Sequence, residues 1–222
     1  MRVVGVMPMA GNGSRLGVPF HKALTPIPTG MNEIWPLWRF AHDRLSVITD
    51  DIVSVVSPEG MVDPCMRDVP GKVVKHTGTE SPSSIAYGAQ ASRADWLAMV
   101  FPDTIWQPRD ALGKAYEEML RYPEAEGILA CWQAPGTMLD QVIVDRNGWV
   151  EHISQKHAER TERVTGWGAF IIRRPAAAIF SDTGFISDNL ARLRLRTISF
   201  PGGIYDDVGT PEQYRRALER WA

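Results

Sequence analysis

The sequence contains very little cysteine, since only Cys65 and Cys131 occur in 222 residues. Two thiols this far apart do not form the dense cysteine pattern of a disulfide-stapled secreted domain. A chain of this length also buries enough apolar surface to fold without metal or disulfide staples. We therefore expect reduced thiols in a cytoplasmic protein made of one α/β domain.

Excess positive charge and long apolar segments are absent as well. Lysine and arginine total 24 against 26 for aspartate and glutamate, which leaves no basic footprint for nucleic acid. The longest purely apolar run, residues 96–101, is far too short to span a bilayer, and no basic leader precedes the first strand pattern. The composition therefore predicts a protein with neither nucleic-acid nor membrane partners.

The first informative pattern is an apolar run, residues 3–7, that leads into a glycine-rich turn. The turn reads Pro8-Met9-Ala10-Gly11-Asn12-Gly13-Ser14-Arg15-Leu16. Glycine lets the chain turn tightly without a Cβ in the way, so such a turn brings backbone N–H groups to a phosphate. Arg15 adds a forked cation and Lys22 a point charge. No Gly-Lys-Ser/Thr ends the turn, so it is not a P-loop, but it predicts a polyphosphate site.

Apolar strand-like runs alternate with helical patterns, which is typical of a largely parallel sheet covered by helices. Strands are predicted over residues 2–7, 52–56, 73–75, 96–101, 128–132, 141–145, 150–153 and 167–172. Helices are predicted over residues 34–45, 83–93, 108–121, 186–196 and 211–221. Thr210 and Pro211 form a helix-start signal, and Asn147-Gly148 predicts a tight hairpin turn. Asp103 follows a strand, at the edge where open α/β sheets bind ligands.

Four segments occur in the order and at the spacing of a known family. They are Ala10-Gly11-Asn12-Gly13-Ser14-Arg15-Leu16 with Lys22-Ala23-Leu24-Thr25-Pro26-Ile27, then Phe101-Pro102-Asp103, Ile153-Ser154-Gln155-Lys156, and Tyr205-Asp206-Asp207-Val208-Gly209-Thr210-Pro211-Glu212. Together they resemble the motifs of the sugar-1-phosphate nucleotidylyltransferases: G-x-G-T-R-L with K-x-L-x-P, a metal-binding aspartate at a strand end, Glu-Lys-Pro, and Asp-x-Gly-Thr. The resemblance covers nearly the whole chain. It implies a GT-A-like, Rossmann-type three-layer α/β/α fold with a predominantly parallel central sheet.

The resemblance also implies one nucleotidyltransferase domain over residues 1–222, in which residues 1–125 bind the nucleotide and residues 126–222 the acceptor. Arg15, Lys22 and Asp103 match the family's catalytic residues, with Arg15 on the charge that develops as pyrophosphate departs. The implied nucleotide-binding set is Ala10, Gly11, Gly13, Ser14, Arg15, Thr79, Ser81 and Ser84.

These residues do not identify which base the nucleotide carries. Thr79 and Ser84 stand where thymidylyl- and uridylyltransferases usually carry a glutamine and a glycine. A role for Ser81 or Ser83 as a plain helix cap is an equal alternative to a contact with the base.

Asp103 and Asp207 match the two aspartates with which the family binds metal, so the implied cofactor is Mg²⁺. A magnesium ion held by carboxylates lowers the repulsion between two phosphate-bearing substrates and orients the α-phosphate. We expect the neighbouring Asp206 to be a solvated or capping residue rather than a second ligand.

On the acceptor side, Lys156 matches the family lysine that holds the acceptor's phosphate, although Gln155 replaces the usual glutamate and His157 the usual proline. Gly168 matches a residue beside the sugar. Asp140 falls on a glycine of the family, and a carboxylate there needs hydrogen bonds or a cation, because a buried unpaired charge is costly. We therefore expect Asp140 to contact an amino-bearing or otherwise modified acceptor, with a surface turn acid as the alternative.

The implied reaction joins a nucleoside triphosphate to a phosphorylated acceptor, a sugar 1-phosphate, and releases pyrophosphate by in-line displacement. One alternative is a metal-dependent GT-A glycosyltransferase, whose Asp-x-Asp pair is replaced here by Asp103-Thr104-Ile105. Another is a nucleotide-binding regulatory relative without turnover. Five intact motif residues oppose that alternative: Arg15, Lys22, Asp103, Lys156 and Asp207.

Overall fold

The computed structural model describes residues 1–11, 14–18, 20–30, 33–58, 60, 64–77, 81–136, 138–156, 162–181 and 184–222. Strands span β1 Val3–Met9, β2 Pro26–Pro28, β3 Ile34–Pro36, β4 Ile52–Val56, β5 Lys72–Lys75, β6 Trp96–Val100, β7 Thr104–Gln107, β8 Gly127–Pro135, β9 Asp140–Val144, β10 Val150–Ser154, β11 Arg163–Arg173, β12 Leu195–Phe200 and β13 Ile204–Asp207. α-Helices span α1 Leu37–Leu45, α2 Ser81–Gln90, α3 Ala111–Met119, α4 Ile186–Leu190 and α5 Pro211–Trp221. Turns of 3₁₀ helix span Ser14–Leu16, Lys22–Leu24, Pro64–Asp68 and Arg174–Ser181.

A large central sheet organises the described residues, with strand order β10-β9-β11-β6-β1-β4-β5, and β8 joins β11 to β12. Strands β6, β1, β4 and β5 are parallel neighbours, and β12 is parallel to β8. The long strand β11 is antiparallel to β6, β8 and β9. The expected α/β fold is confirmed, and its four adjacent parallel strands come from the first hundred residues or so.

Helices cover both faces of this sheet. All seven residues of β1 are buried, as in a parallel strand covered on both sides. Met7 packs in one apolar cluster with α1 and α3, whereas Val6 packs in a second cluster with α2 and the Arg174–Ser181 turn. The expected three layers therefore form. Among the described residues, no helix is long and apolar enough to cross a membrane.

Four predicted helices have wrong bounds. The helices predicted over residues 83–93 and 108–121 span Ser81–Gln90 and Ala111–Met119. The helix predicted from residue 34 begins at Leu37, because Pro36 has an extended backbone and Ile34–Pro36 pairs with β2. The helix predicted over residues 186–196 ends at Leu190, and Leu195–Phe200 instead forms β12 beside β8. Residues 191–193 form a turn and a bend, and the pairing of β12 with the distant strand β8 begins at Leu195.

The last helix begins as predicted. The Thr210 hydroxyl accepts a hydrogen bond from the Gln213 backbone N–H at 3.3 Å, and Pro211 occupies the first helical turn. The Gln213 side chain in turn accepts from the Gly209 N–H at 2.8 Å. This start of α5 fixes the chain immediately after Asp207.

The predicted hairpin turn is confirmed between β9 and β10. Gly148 has a φ of 82°, the left-handed region that glycine enters without strain. The Asp145 carboxylate accepts from the backbone N–H groups of Asn147 and Trp149, both at 2.8 Å. The hairpin returns the chain so that β10 ends just before Lys156.

Candidate active site

Two acids meet at the carboxyl end of β6. Asp103 follows this strand within three residues, and the chain then forms β7, which pairs antiparallel with β13 so that Thr104 lies opposite Asp207. The Val208 N–H donates to the Asp103 carbonyl at 2.9 Å. A short two-stranded sheet therefore holds the two predicted metal-binding acids beside each other.

Each of these acids is paired with a lysine. The Lys22 ammonium binds Oδ2 of Asp103, and Lys156 Nζ lies 3.2 Å from Oδ2 of Asp207. A Cβ built on Gly209 would lie 3.4 Å from Asp207 Oδ1 and 3.6 Å from Lys22 Nζ, so both pairs border one glycine. We call Lys22, Asp103, Lys156 and Asp207 the charged cluster, and it unites residues from four separate motifs.

Burial and like charge perturb the charged cluster. Burial, together with the charge of Asp103, raises the pKa of Asp207, and Lys156 and Lys22 offset part of this rise. Burial also raises the pKa of Tyr205 far above its usual range, with added repulsion from the neighbouring carboxylates. Tyr205 is therefore a neutral phenol under the cluster.

Asp206 does not belong to the charged cluster. Successive side chains of a strand point to opposite faces, so Asp206 points away from Asp207. Arg220 donates to both carboxylate oxygens of Asp206 at 3.0 and 3.1 Å, and Trp221 Nε1 donates at 3.0 Å. The expectation of a solvated acid is wrong, because Asp206 is 1% exposed and ties the end of α5 to β13.

The predicted phosphate loop begins directly after β1. Ala10 is buried, whereas Gly11 and Arg15 are exposed. Around the position of a Cβ on Gly11, no described atom lies within 4 Å, so this side of the loop is open in the described part of the chain. Gly13 and Thr79 lie outside the described residues, as do the side chains of Ser14 and Ser81.

Two of the residues expected near the base, Ser81 and Ser84, lie in α2. Ser84 is buried in this helix, and its side chain has partners within the protein. Sequence reasoning missed His76, which follows β5 and whose Nε2 lies 2.9 Å from Ser83 Oγ. Its ring lies 5.0 Å from that of Tyr87, centroid to centroid. The sequence does carry one sign of this residue, because His76 comes directly after a parallel strand, where α/β folds place ligand-binding side chains.

Gly168 has a packing role. A Cβ on this residue would lie 2.2 Å from Tyr205 Cε2 and 3.0 Å from Trp132 Cζ3. The aromatic layer beneath the charged cluster therefore occupies the side of Gly168 where a side chain would project. A contact between the acceptor and the Gly168 backbone stays a prediction.

Asp140 has protein partners for both of its carboxylate oxygens. Oδ1 accepts from the Lys156 backbone N–H at 2.7 Å, and Oδ2 accepts from the Ser187 hydroxyl. Asp140 is therefore a half-buried strand residue rather than a surface turn acid. Its contact with an amino-bearing or otherwise modified acceptor stays a prediction. Sequence reasoning missed Ser187, which carries no local signal of this contact.

The described residues contain no group of three or more His, Cys, Asp or Glu side chains arranged to hold a metal ion. A cation at the charged cluster would have Asp103 and Asp207 as its protein ligands. Magnesium commonly binds one or two carboxylates and completes its shell with water and substrate phosphates. The two acids fit that mode of binding.

Comparison with solved structures establishes the fold. A protein assigned as a glucose-1-phosphate thymidylyltransferase from Bacillus anthracis has a TM-score of 0.76 at 16% identity, over 98% of this chain and 94% of that one. HddC from Yersinia pseudotuberculosis, complexed with GMP-PN, has a TM-score of 0.72 at 16% identity over the full length of both chains. The inositol-1-phosphate CTP transferase from T. maritima has a TM-score of 0.74 at 15% identity, over 100% of this chain and 98% of that one. The chain therefore has the fold of these proteins.

No protein-family model matches the chain, and a search of curated protein sequences finds no match.

Proposed function

We propose that this protein is a nucleotidyltransferase that joins a nucleoside triphosphate to a phosphorylated acceptor, a sugar 1-phosphate, and releases pyrophosphate. The observation that carries the proposal is the charged cluster. Two lysines and two acids from four separate motifs meet at the carboxyl edge of the parallel strands, where α/β folds bind ligands.

The structural neighbours support the same reaction class. Two of them are named for transfer of a nucleotide, to glucose 1-phosphate and to inositol 1-phosphate, and a third was crystallised with GMP-PN. Because these names involve thymidine, guanosine and cytidine nucleotides, they leave the base open, as the sequence does.

Residues of the amino-terminal half form the nucleotide side of the proposed site. The backbone at Gly11 and the exposed Arg15 bind the triphosphate, and Lys22 adds a cation beside Asp103. These donors stabilise the charge that develops as pyrophosphate departs.

The carboxyl-terminal half forms the acceptor side. Lys156 holds the acceptor's phosphate next to the α-phosphate of the nucleotide. The attacking group is a phosphate oxygen that is already ionised at neutral pH, so the reaction needs positioning and charge stabilisation rather than a general base.

Asp103 and Asp207 hold Mg²⁺ in this proposal. The bound ion supplies neutralisation of the phosphate charges and orientation of the α-phosphate. In the metal-free protein the two lysines balance the two acids, so a metal that binds the acids leaves both lysines available to phosphate oxygens.

A pyrophosphate-release assay tests the proposal. The protein is mixed with Mg²⁺, each of the four ribonucleoside triphosphates or thymidine triphosphate, and a panel of sugar 1-phosphates and other phosphorylated acceptors. We expect pyrophosphate only when both substrates are present, and release at least about 10²-fold slower with Asp207→Asn. Release of inorganic phosphate alone, or no release with any pair, would contradict the proposal.

A further inference from the structure

Two departures from the family motif lie in one hydrogen-bonded network around Lys156. Asp140 replaces a glycine and Gln155 replaces the glutamate that usually precedes the acceptor lysine. Asp140 binds the Lys156 backbone and Ser187, and Gln155, which precedes Lys156, binds Asp188 of the same helix α4. The two departures are therefore connected through the helix α4, which both side chains contact.

Asp140 fixes the backbone of Lys156. Its Oδ1 accepts the Lys156 N–H at 2.7 Å, and its Oδ2 is held by the Ser187 hydroxyl of α4. Ser187 Oγ in turn accepts from Trp167 Nε1 at 3.0 Å, and both Ser187 and Trp167 are buried. The carboxylate is therefore held in one orientation by the core, and it holds Lys156 in turn.

Gln155 provides a second anchor to the same helix. Its Nε2 lies 3.1 and 3.2 Å from the two carboxylate oxygens of Asp188, and only the amide nitrogen can donate to a carboxylate. A glutamate at position 155 would instead bring two negative charges together. The residue type at position 155 thus matches the acid at position 188.

We infer that Asp140 and the Gln155–Asp188 pair are positioning residues that together present the Lys156 ammonium to Asp207 and to the acceptor's phosphate. This inference rests on the proposed function for the role of Lys156. The helix α4, which carries Ser187 and Asp188, thereby affects acceptor binding through its contacts with Asp140 and Gln155.

The first test compares two variants of Asp140. Asp140→Ala removes the carboxylate oxygen that accepts a hydrogen bond from the Lys156 backbone N–H. Asp140→Asn retains a side-chain oxygen that can accept this hydrogen bond. We expect Asp140→Ala to raise the acceptor KM about tenfold, the scale of a lost hydrogen bond to a charged group, while the triphosphate KM stays nearly constant. Asp140→Asn should rescue most of this effect, and Asp140→Ala should add nothing in a Lys156→Ala background.

The second test exchanges the partners of the other anchor, which is nearer the surface. Gln155→Glu should raise the acceptor KM through repulsion by Asp188. Adding Asp188→Asn should restore it, because the new amide donates to the new carboxylate. Glu151→Gln, at an exposed site on β10, is the matched control for a change of charge in the same hairpin. These variants decide the inference even where Asp140→Ala fails to fold.

A measurement without turnover separates this inference from the proposed function. Lysine acetylation by a limiting reagent, quantified by mass spectrometry, should show faster labelling of Lys156 in Asp140→Ala and wild-type labelling in Asp140→Asn, with Lys22 as internal reference. If no acceptor reacts with the wild type but this labelling pattern holds, the proposed function fails and the positioning role stands. Equal KM changes for both substrates, additivity with Lys156→Ala, or unchanged labelling would overturn the inference.

Discussion

The ammonium group of Lys156 lies 3.2 Å from Oδ2 of Asp207, which follows it by 51 positions in sequence. Lys22 forms the corresponding pair with Asp103. The charged cluster therefore balances two positive against two negative charges. A metal ion that binds the two acids must displace lysines, whereas a metal ion that arrives with a polyphosphate gives those lysines new partners.

Metal affinity in the absence of nucleotide tests this balance. Lys22→Met removes the cation that competes for Asp103, so we expect Mn²⁺ alone to bind about tenfold more tightly than in the wild type, although turnover falls. Isothermal titration calorimetry gives both affinities. Lys114→Met, which breaks the surface pair with Asp110, is the control and should leave Mn²⁺ affinity unchanged. Weaker binding of Mn²⁺ to Lys22→Met would contradict a competing role for this lysine.

The two acids are expected to act as one unit. Asp103→Asn and Asp207→Asn should each lower turnover by at least about 10²-fold, the scale seen when a preorganised electrostatic group is lost. The double variant should be far from additive, because both substitutions disable the same metal site. Steady-state kinetics at saturating Mg²⁺ measures all three. Full activity of either single variant, or strict additivity, would show that the acids do not share an ion.

Substitution of the neighbours Asp206 and Asp207 by asparagine should change the free energy of unfolding in opposite directions at neutral pH. The raised pKa of Asp207 means that the folded protein binds more protons than the unfolded chain between its ordinary pKa, about 3.8, and the raised value. The free energy of unfolding therefore falls as pH rises through that range. Asp207→Asn lacks the ionisable group and therefore this decrease in the free energy of unfolding. We expect the variant to be more stable than the wild type at neutral pH, and the difference in stability to disappear near pH 3.8.

Asp206→Asn is the matched variant for that experiment. It weakens the hydrogen bonds from Arg220 and Trp221 to a buried carboxylate, so we expect a loss of about 1–3 kcal/mol with activity retained. Urea unfolding across the acid and neutral range measures both variants. A destabilised Asp207→Asn at neutral pH would show that its contacts with lysines outweigh the effects of burial and of Asp103.

Substitutions at two glycines should have different effects, one on stability and the other on nucleotide binding. Gly168→Ala forces a Cβ to 2.2 Å from the Tyr205 ring and should cost about 1–3 kcal/mol of stability. Gly11→Ala meets no described atom within 4 Å, so it should leave the melting temperature unchanged and raise the triphosphate KM. Thermal unfolding and steady-state kinetics test both substitutions. Unchanged nucleotide binding in Gly11→Ala would remove this loop from the proposed site.

Much of the charged cluster could be predicted from the sequence. Asp103 follows a strand end, which indicates the ligand-binding edge of a parallel sheet. Lys22 follows a glycine-rich turn, but its functional role depends on the spacing of the family motif. Lys156 and Asp207 were placed by their resemblance to family motifs. The structure brings all four together, as those motifs implied.

Contacts between distant segments could not be predicted in the same way. β7 and β13 are each four residues long, and their pairing, which separates the roles of Asp206 and Asp207, depends on the tertiary fold. The partner of Asp140 on α4 lies 47 positions away, and no local pattern marks Ser187. The helix predicted over residues 186–196 runs two residues into β12, whose pairing with β8 joins segments far apart in sequence.

The fate of the α-phosphate tests the proposed reaction most directly. The protein, Mg²⁺ and the best acceptor are incubated with the triphosphate labelled at either the α- or the γ-phosphorus. We predict that the α-label enters a new nucleoside-diphosphate product and that the γ-label leaves as pyrophosphate. Both processes should be at least about 10²-fold slower in Asp207→Asn. Appearance of the γ-label on the acceptor, or an α-label that stays with unreacted nucleotide for every acceptor, would contradict the assignment as a nucleotidyltransferase.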